Sequence, residues 1–108
     1  MVTENPTPTT VVHCSKAKFD IYIGRKNPRF PHGSIWGNPF EIGKHGTRSK
    51  VIADYRSWIV TQPHLLAQLS SIKGKVLGCW CHPDSCHGDV LAALADGLPI
   101  TPTQAALF

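Results

Sequence analysis

Three of the four cysteines in this chain lie close together, at Cys79, Cys81 and Cys86, and His87, Gly88 and Asp89 follow directly. An apolar run, Val76 to Trp80, stops at His82-Pro83-Asp84-Ser85, and a helix-type pattern then starts. A buried strand that feeds a helix N-terminus brings unpaired N–H groups and the positive end of a helix dipole to one point. Proteins of the α/β class place ligands there. The amides from Ser85 to Gly88 are therefore candidate anion donors, and Gly88 removes a side chain from their approach. A thiol at such a position has a lowered pKa, which makes Cys86 a candidate nucleophile. The plainer alternative is that Cys86 is a small buried hydrophobe. His87 and Asp89 are the candidate acid/base pair, suited to hydrolysis or glycosyl transfer if the chain is an enzyme, which the sequence leaves open. Asp89 also has a competing use. A carboxylate in the first turn satisfies the dipole itself and opposes a phosphate unless it binds a sugar hydroxyl or a cation.

Zinc is the other chemistry these residues suggest. Cys79, Cys81, Cys86 and His87 are soft ligands, but the usual C-x2-C pair is missing. Adjacent Cys86 and His87 would also diverge if helical. No metal ligand and no cofactor is assigned.

A second locus runs from Gly24 and Arg25 to Trp36, Gly37, Asn38 and Phe40. The glycines permit tight turns or close backbone approach. Arg25 offers a planar fork for a carboxylate or phosphate, and Trp36 and Phe40 offer stacking faces. Asn38 precedes a proline, so it is extended, and its amide is free to orient a ligand. Equally, Trp36 and Phe40 could pin the loop to the core while Arg25 pairs with Asp20 or Glu41. Trp80 suits either the core or a pocket wall.

The elements that must position these groups are legible in outline. Val11 to Cys14 and Phe19 to Ile23 are β-rich and read as strands. The density of proline and glycine from Lys26 to Phe40 predicts an ordered loop. Ser49 to Val60 is the clearest helix, with Val51, Ile52, Tyr55, Trp58 and Ile59 on one stripe and Thr47 or Ser49 as its cap. Pro63 opens a second helix, with Leu65, Leu66 and Leu69 facing inward. Val76 to Trp80 returns as a strand that carries Cys79 and Cys81 on one face. It is apolar on both faces and should be central. Ser85 is the expected cap of the last helix, Val90, Leu91 and Leu94 its buried stripe, and Gly97 its left-handed terminator. Helices between strands predict a single small α/β domain: a three- to four-stranded parallel or mixed sheet with about three helices packed on it, spanning residues 11–97. Residues 1–10 read as a disordered leader and 98–108 as a tail.

Composition sets the outer bounds. The chain has 108 residues, is 42% hydrophobic and carries a formal charge of +4. That permits contact with phosphate or nucleic acid without demanding it. No apolar run is long enough to span a membrane, and no signal-peptide pattern opens the chain. A cytoplasmic location with reduced cysteines is expected.

The motif set resembles a family of small bacterial and phage proteins known as domain of unknown function 4326. The matching pieces are Val11-Val12, Asp20 to Arg25, Trp36 to Phe40, Val51 with Tyr55-Arg56, and Leu77 to Cys81 followed by Cys86 to Leu91. The resemblance implies a compact intracellular α/β domain, often phage-associated, and supplies no activity. The expectation is a protein that binds a nucleotide-like or other phosphate-bearing small molecule. Arg25 and the Ser85-to-Gly88 amides would hold the anion, Trp36 or Trp80 would stack, and Asn38 and Asp89 would orient polar groups. Two rivals remain open: a phage-type interaction protein that binds and inhibits a host factor, with Leu98 to Phe108 as its candidate surface, and a zinc-stabilised nucleic-acid-binding module.

Overall fold

A computed structural model describes residues 7–98. Its elements are β1 (Thr10–His13), β2 (Ile21–Tyr22), α1 (Arg48–Ile59), α2 (Pro63–Leu66), a short 3-10 turn at Leu69–Ser71, β3 (Val76–Cys79) and α3 (His87–Ala95). The three strands form one sheet in the order β1-β3-β2, parallel throughout, with Val11 beside Leu77 and Tyr22 beside Gly78. The central place of β3 follows from its composition. Leu77, Gly78 and Cys79 are all buried, so neither face tolerates a polar side chain.

Parallel strands need a connection that returns to the starting edge. β1 and β2 flank β3, and only residues 14–20 carry the chain from one side of it to the other, which suffices because the strands are so short. The return path lies over Gly78. A Cβ on Gly78 would stand 2.6 Å from Cγ of Phe19, so the missing side chain makes room for the Phe19 ring. On the other face Leu77 and Cys79 join Ile23, Tyr55, Ile59, Val90 and Leu91 in one core, onto which α1 and α3 pack.

Helix α1 forms where the apolar stripe predicts it. Val51, Tyr55 and Ile59 are buried, Ile52 and Trp58 pack beside them, and the Thr47 hydroxyl accepts from the Lys50 amide as N-cap. Helix α2 is a single turn with Pro63 in its first turn. Gly97 takes φ +74°, the left-handed geometry that ends α3.

Three expectations need correction. Strand β3 ends at Cys79, so Cys81 lies beyond it and does not share a strand face with Cys79. The cap of α3 is Cys86, not Ser85. The Cys86 sulfur accepts from the Gly88 amide, and the Asp89 carboxylate accepts from the Cys86 amide at 3.1 Å, which closes a capping box. First strand β1 opens at Thr10, inside the expected leader. Thr9 is buried and donates through its amide and hydroxyl to the Asp96 carboxylate, at 2.9 and 2.6 Å. The rest of the expected leader, residues 1–6, and the expected tail beyond Leu98 lie outside the described residues.

Candidate functional site

All three strands deliver their carboxyl ends to the same edge, and a cavity of about 250 Å³ opens there. Gly24 and Arg25 leave β2 into its wall, Cys79 and Trp80 leave β3, and Ser85, Cys86 and His87 enter α3. The fourth wall is the start of α1, with Arg48, Val51 and Ile52, together with Asn38, Phe40 and Ile42 of the loop before it. Among the described residues three cationic side chains, Arg25, Lys26 and Arg48, border the cavity, and no aspartate or glutamate does. A concave, largely apolar site with a few cations of one sign raises the local concentration of anions.

The Arg25 guanidinium donates to the Asn38 carbonyl at 2.6 Å. Among the described residues no carboxylate pairs with it, so neither Asp20 nor Glu41 does. Arg48 donates to the Ser85 carbonyl at 3.1 Å and stands 3.7 Å from the exposed Asp84 carboxylate at the rim. The Cys81 thiol beside it, with Asp84 adding, holds the Arg48 guanidinium above its ordinary pKa. Arg48 is therefore charged throughout the accessible pH range. Arg48 was missed by sequence reasoning, although a flag existed. It is the first residue of α1, where a cation opposes the helix dipole, and no acidic residue shares that first turn. The turn before α3 holds the side chain there, through the Ser85 carbonyl and the Asp84 carboxylate.

Trp80 is the exposed aromatic of the site, 42% accessible, with its indole N–H donating to the Tyr22 hydroxyl at 2.8 Å. Phe30 stacks on Tyr22 at 3.8 Å and meets Trp80 edge-on, so the indole is braced from behind. Trp36 lies elsewhere. It is buried in the core and does not border the cavity.

The remaining expected site residues have structural duties. The Asn38 amide is not free: it donates to the Val51 carbonyl at 3.2 Å and accepts from the Phe40 amide at 2.9 Å, tying the loop to α1. Gly37 is close to backbone rather than to ligand, since a Cβ there would sit 3.2 Å from the Gly24 carbonyl oxygen. Gly88 faces the core, where a Cβ would meet Ile23 at 2.8 Å and Val11 at 3.1 Å. The amides of Cys86 and Gly88 are already satisfied by the Asp89 carboxylate and the Cys86 sulfur, so they do not await an anion.

His87 and Asp89 are not brought together as an acid/base pair. The His87 ring is buried and its Nε2–H donates to the Ile23 carbonyl at 2.7 Å, while Tyr55 packs edge-on against it. Burial pulls its pKa down to about 4, which leaves it neutral and committed. The Asp89 carboxylate is held by the cap. Among the described residues no group of three or more His, Cys, Asp or Glu side chains stands ready for a metal ion. No helix among them is long and apolar enough to cross a membrane.

With this geometry in hand, residues 11–97 match the family Domain of unknown function (DUF4326). The chain belongs to that family. A protein of Enterobacteria phage T4, named "Uncharacterized 12.4 kDa protein in nrdA-td intergenic region", is 34% identical over 93 residues, which covers 82% of this chain and 78% of the phage protein. No solved structure matches significantly. The DUF4326 match covers all of these strands and helices but Thr10, the first residue of β1, and therefore every wall of the cavity. Neither name states an activity, so the cavity itself must be read for one.

Proposed function

We propose that this chain binds a small anionic molecule with a planar part, such as a nucleotide, in the cavity at the carboxyl edge of the sheet. The observation that carries the reading is the charge of the walls: Arg25, Lys26 and Arg48 line them, no carboxylate among the described residues does, and Asp84 meets Arg48 only at the exposed rim. Arg25 and Arg48 would hold the anion, and the exposed Trp80 would stack on the planar part. Fixed by the Ser85 carbonyl and the Asn38 carbonyl, the two guanidinium groups lose little freedom on binding. Binding is better supported than proton transfer, because His87 is neutral and bonded to backbone.

A thermal-shift series over nucleoside mono-, di- and triphosphates tests the reading. A ligand at a hundred times its Kd stabilises the folded state by about 2.7 kcal/mol. Arg48→Ala should then weaken binding by roughly 10- to 100-fold, the worth of one charge-assisted hydrogen bond. Trp80→Ala should weaken it too, while Trp36→Ala should harm the fold rather than the site. Absence of any shift across the series, or an Arg48→Ala variant that is folded and binds as before, overturns the proposal.

A further inference from the structure

The floor of the cavity holds a feature that anion binding does not use. The sulfur atoms of Cys79 and Cys86, one ending β3 and the other capping α3, are 3.3 Å apart. Both cysteines are unbridged and buried, at 1% and 3% exposure, yet both border the cavity. Their hydrogen bonds run in one direction. The Gly88 amide donates to the Cys86 sulfur at 3.2 Å, the Cys86 thiol donates to the Cys79 sulfur, and the His82 amide donates to the same Cys79 sulfur at 3.4 Å. Cys79 thus accepts twice and is the end of the chain. That arrangement favours the thiolate on Cys79 and the protonated thiol on Cys86.

We propose that Cys79 and Cys86 are a reactive dithiol, oxidised to a disulfide by a small hydroperoxide that enters through the cavity. In the first step the Cys79 thiolate attacks one peroxide oxygen. The O–O bond breaks, the leaving oxygen takes a proton from solvent and departs as water or an alcohol, and Cys79 becomes a sulfenic acid. In the second step the Cys86 sulfur attacks the Cys79 sulfur. The S–O bond breaks, the Cys86 proton leaves with the hydroxide as water, and an S–S bond forms. The peroxide is reduced and the two thiols are oxidised, so the balance closes without another reagent.

Oxidation suits this site better than acyl or phosphoryl transfer through the same sulfur. Those reactions need a proton acceptor or donor at the leaving group, and the one histidine in the wall spends its N–H on the Ile23 carbonyl. Oxidation needs only a thiolate and a second thiol in reach, and both are present. The hydrogen bond from Cys86 is the main cause that pulls the Cys79 thiol below its ordinary value against the cost of burial, and the same bond, with burial, pushes Cys86 up. Closure needs the sulfurs to approach from 3.3 Å to a bonded length of about 2.05 Å. Cys14 sits in a separate hollow with Lys16, Phe19 and Arg29, and Cys81 touches Cys79 through its backbone amide, which adds to the stabilisation of a thiolate there.

The test uses the whole reduced chain and hydrogen peroxide, with no other ligand, so its outcome is separate from that of the nucleotide screen. Intact mass should show the loss of two hydrogens. Trypsin leaves Cys79, Cys81 and Cys86 on one fragment, since no Lys or Arg follows Lys75. Cleavage after Trp80 and before Asp84 separates them, and the bridge should join the fragments that carry Cys79 and Cys86. Cys86→Ser should leave a sulfenic acid on Cys79, read as one added oxygen and trapped by a dimedone-type reagent. Unfolding in urea should slow the reaction at neutral pH by roughly tenfold or more, as Cys79 returns to an ordinary thiol. A bridge to Cys14 or Cys81, a folded wild type that takes up no peroxide, or equal rates folded and unfolded would each overturn the proposal. The wild-type map decides even where a variant fails to fold.

Discussion

The buried hydroxyl of Tyr55 donates to the carbonyl oxygen of Trp36 at 2.7 Å, across nineteen residues of sequence. This one bond fastens the loop before α1, which carries Asn38 and Phe40 into the cavity wall, to the middle of the helix. Burial pushes the Tyr55 pKa up, so the donor keeps its proton at every working pH. Tyr55→Phe keeps the ring but leaves the Trp36 carbonyl without its partner. It should cost about 1–3 kcal/mol in urea unfolding. Limited proteolysis at Lys26 and Arg29 should quicken in parallel; unchanged cleavage would show that the loop is held by other contacts.

His87 sets an acid limit on stability. Its folded pKa of about 4 lies below the ordinary 6.5, so the unfolded chain binds the extra proton first. Stability is therefore whole above pH 6.5 and is lost progressively as the pH falls towards 4. A shift of this size corresponds to about 3 kcal/mol. Urea midpoints measured between pH 7 and pH 4 should show that decline, and NMR titration should find the His87 ring unprotonated at pH 5.5. A ring that titrates near 6.5 in the folded protein would remove the effect.

Gly78 and Phe19 should behave as a coupled pair. Gly78→Ala places a Cβ against the Phe19 ring in the middle of the sheet and should destabilise by about 1–3 kcal/mol through overpacking. In the background of Phe19→Leu the same change should cost less, because the atoms it meets have been removed. A double-mutant cycle by urea unfolding measures the coupling. Strict additivity would mean that the crossing segment does not press on β3.

Asp96 closes the domain. It lies at the C-terminal end of α3, where a negative charge opposes the dipole, and is kept there by two donors from Thr9. Those bonds hold its carboxyl below the usual range, with Lys73 adding a smaller pull. Its contribution is present above the ordinary carboxylate pKa and fades as the pH falls below it. Asp96→Ala should destabilise by about 1–3 kcal/mol at pH 7 and speed hydrogen exchange at the Thr9 amide. An unchanged exchange rate would mean that β1 is anchored by the sheet alone.

The elements most legible in the sequence were those defined by period and local chemistry. The stripe Val51, Tyr55, Ile59 placed α1, the hydroxyl of Thr47 capped it, and the unbroken apolar run placed β3 at the centre of the sheet. The last cap was misplaced by one residue because Ser85 is the usual capping type and a cysteine is not. What decided for Cys86 was Asp89, whose carboxylate reaches back to the Cys86 amide. The two tryptophans were harder to tell apart. Trp36 and Trp80 both stand beside glycine and turn residues, and local pattern cannot say which side of the sheet will be roofed.

By itself the sequence determined that this is a small α/β domain, that its chemistry-bearing residues gather after β3, and to which family it belongs, because strand and helix periods and fixed motifs are local quantities. Only the tertiary structure decided that Arg48 and Arg25 border one cavity, that Trp80 rather than Trp36 lines it, and that Cys79 and Cys86 touch while His87 and Asp89 serve the fold. The physical reason is that these are pairings between segments distant in the chain. They depend on how α1 and α3 pack on the sheet, and no spacing along one strand or helix encodes that packing.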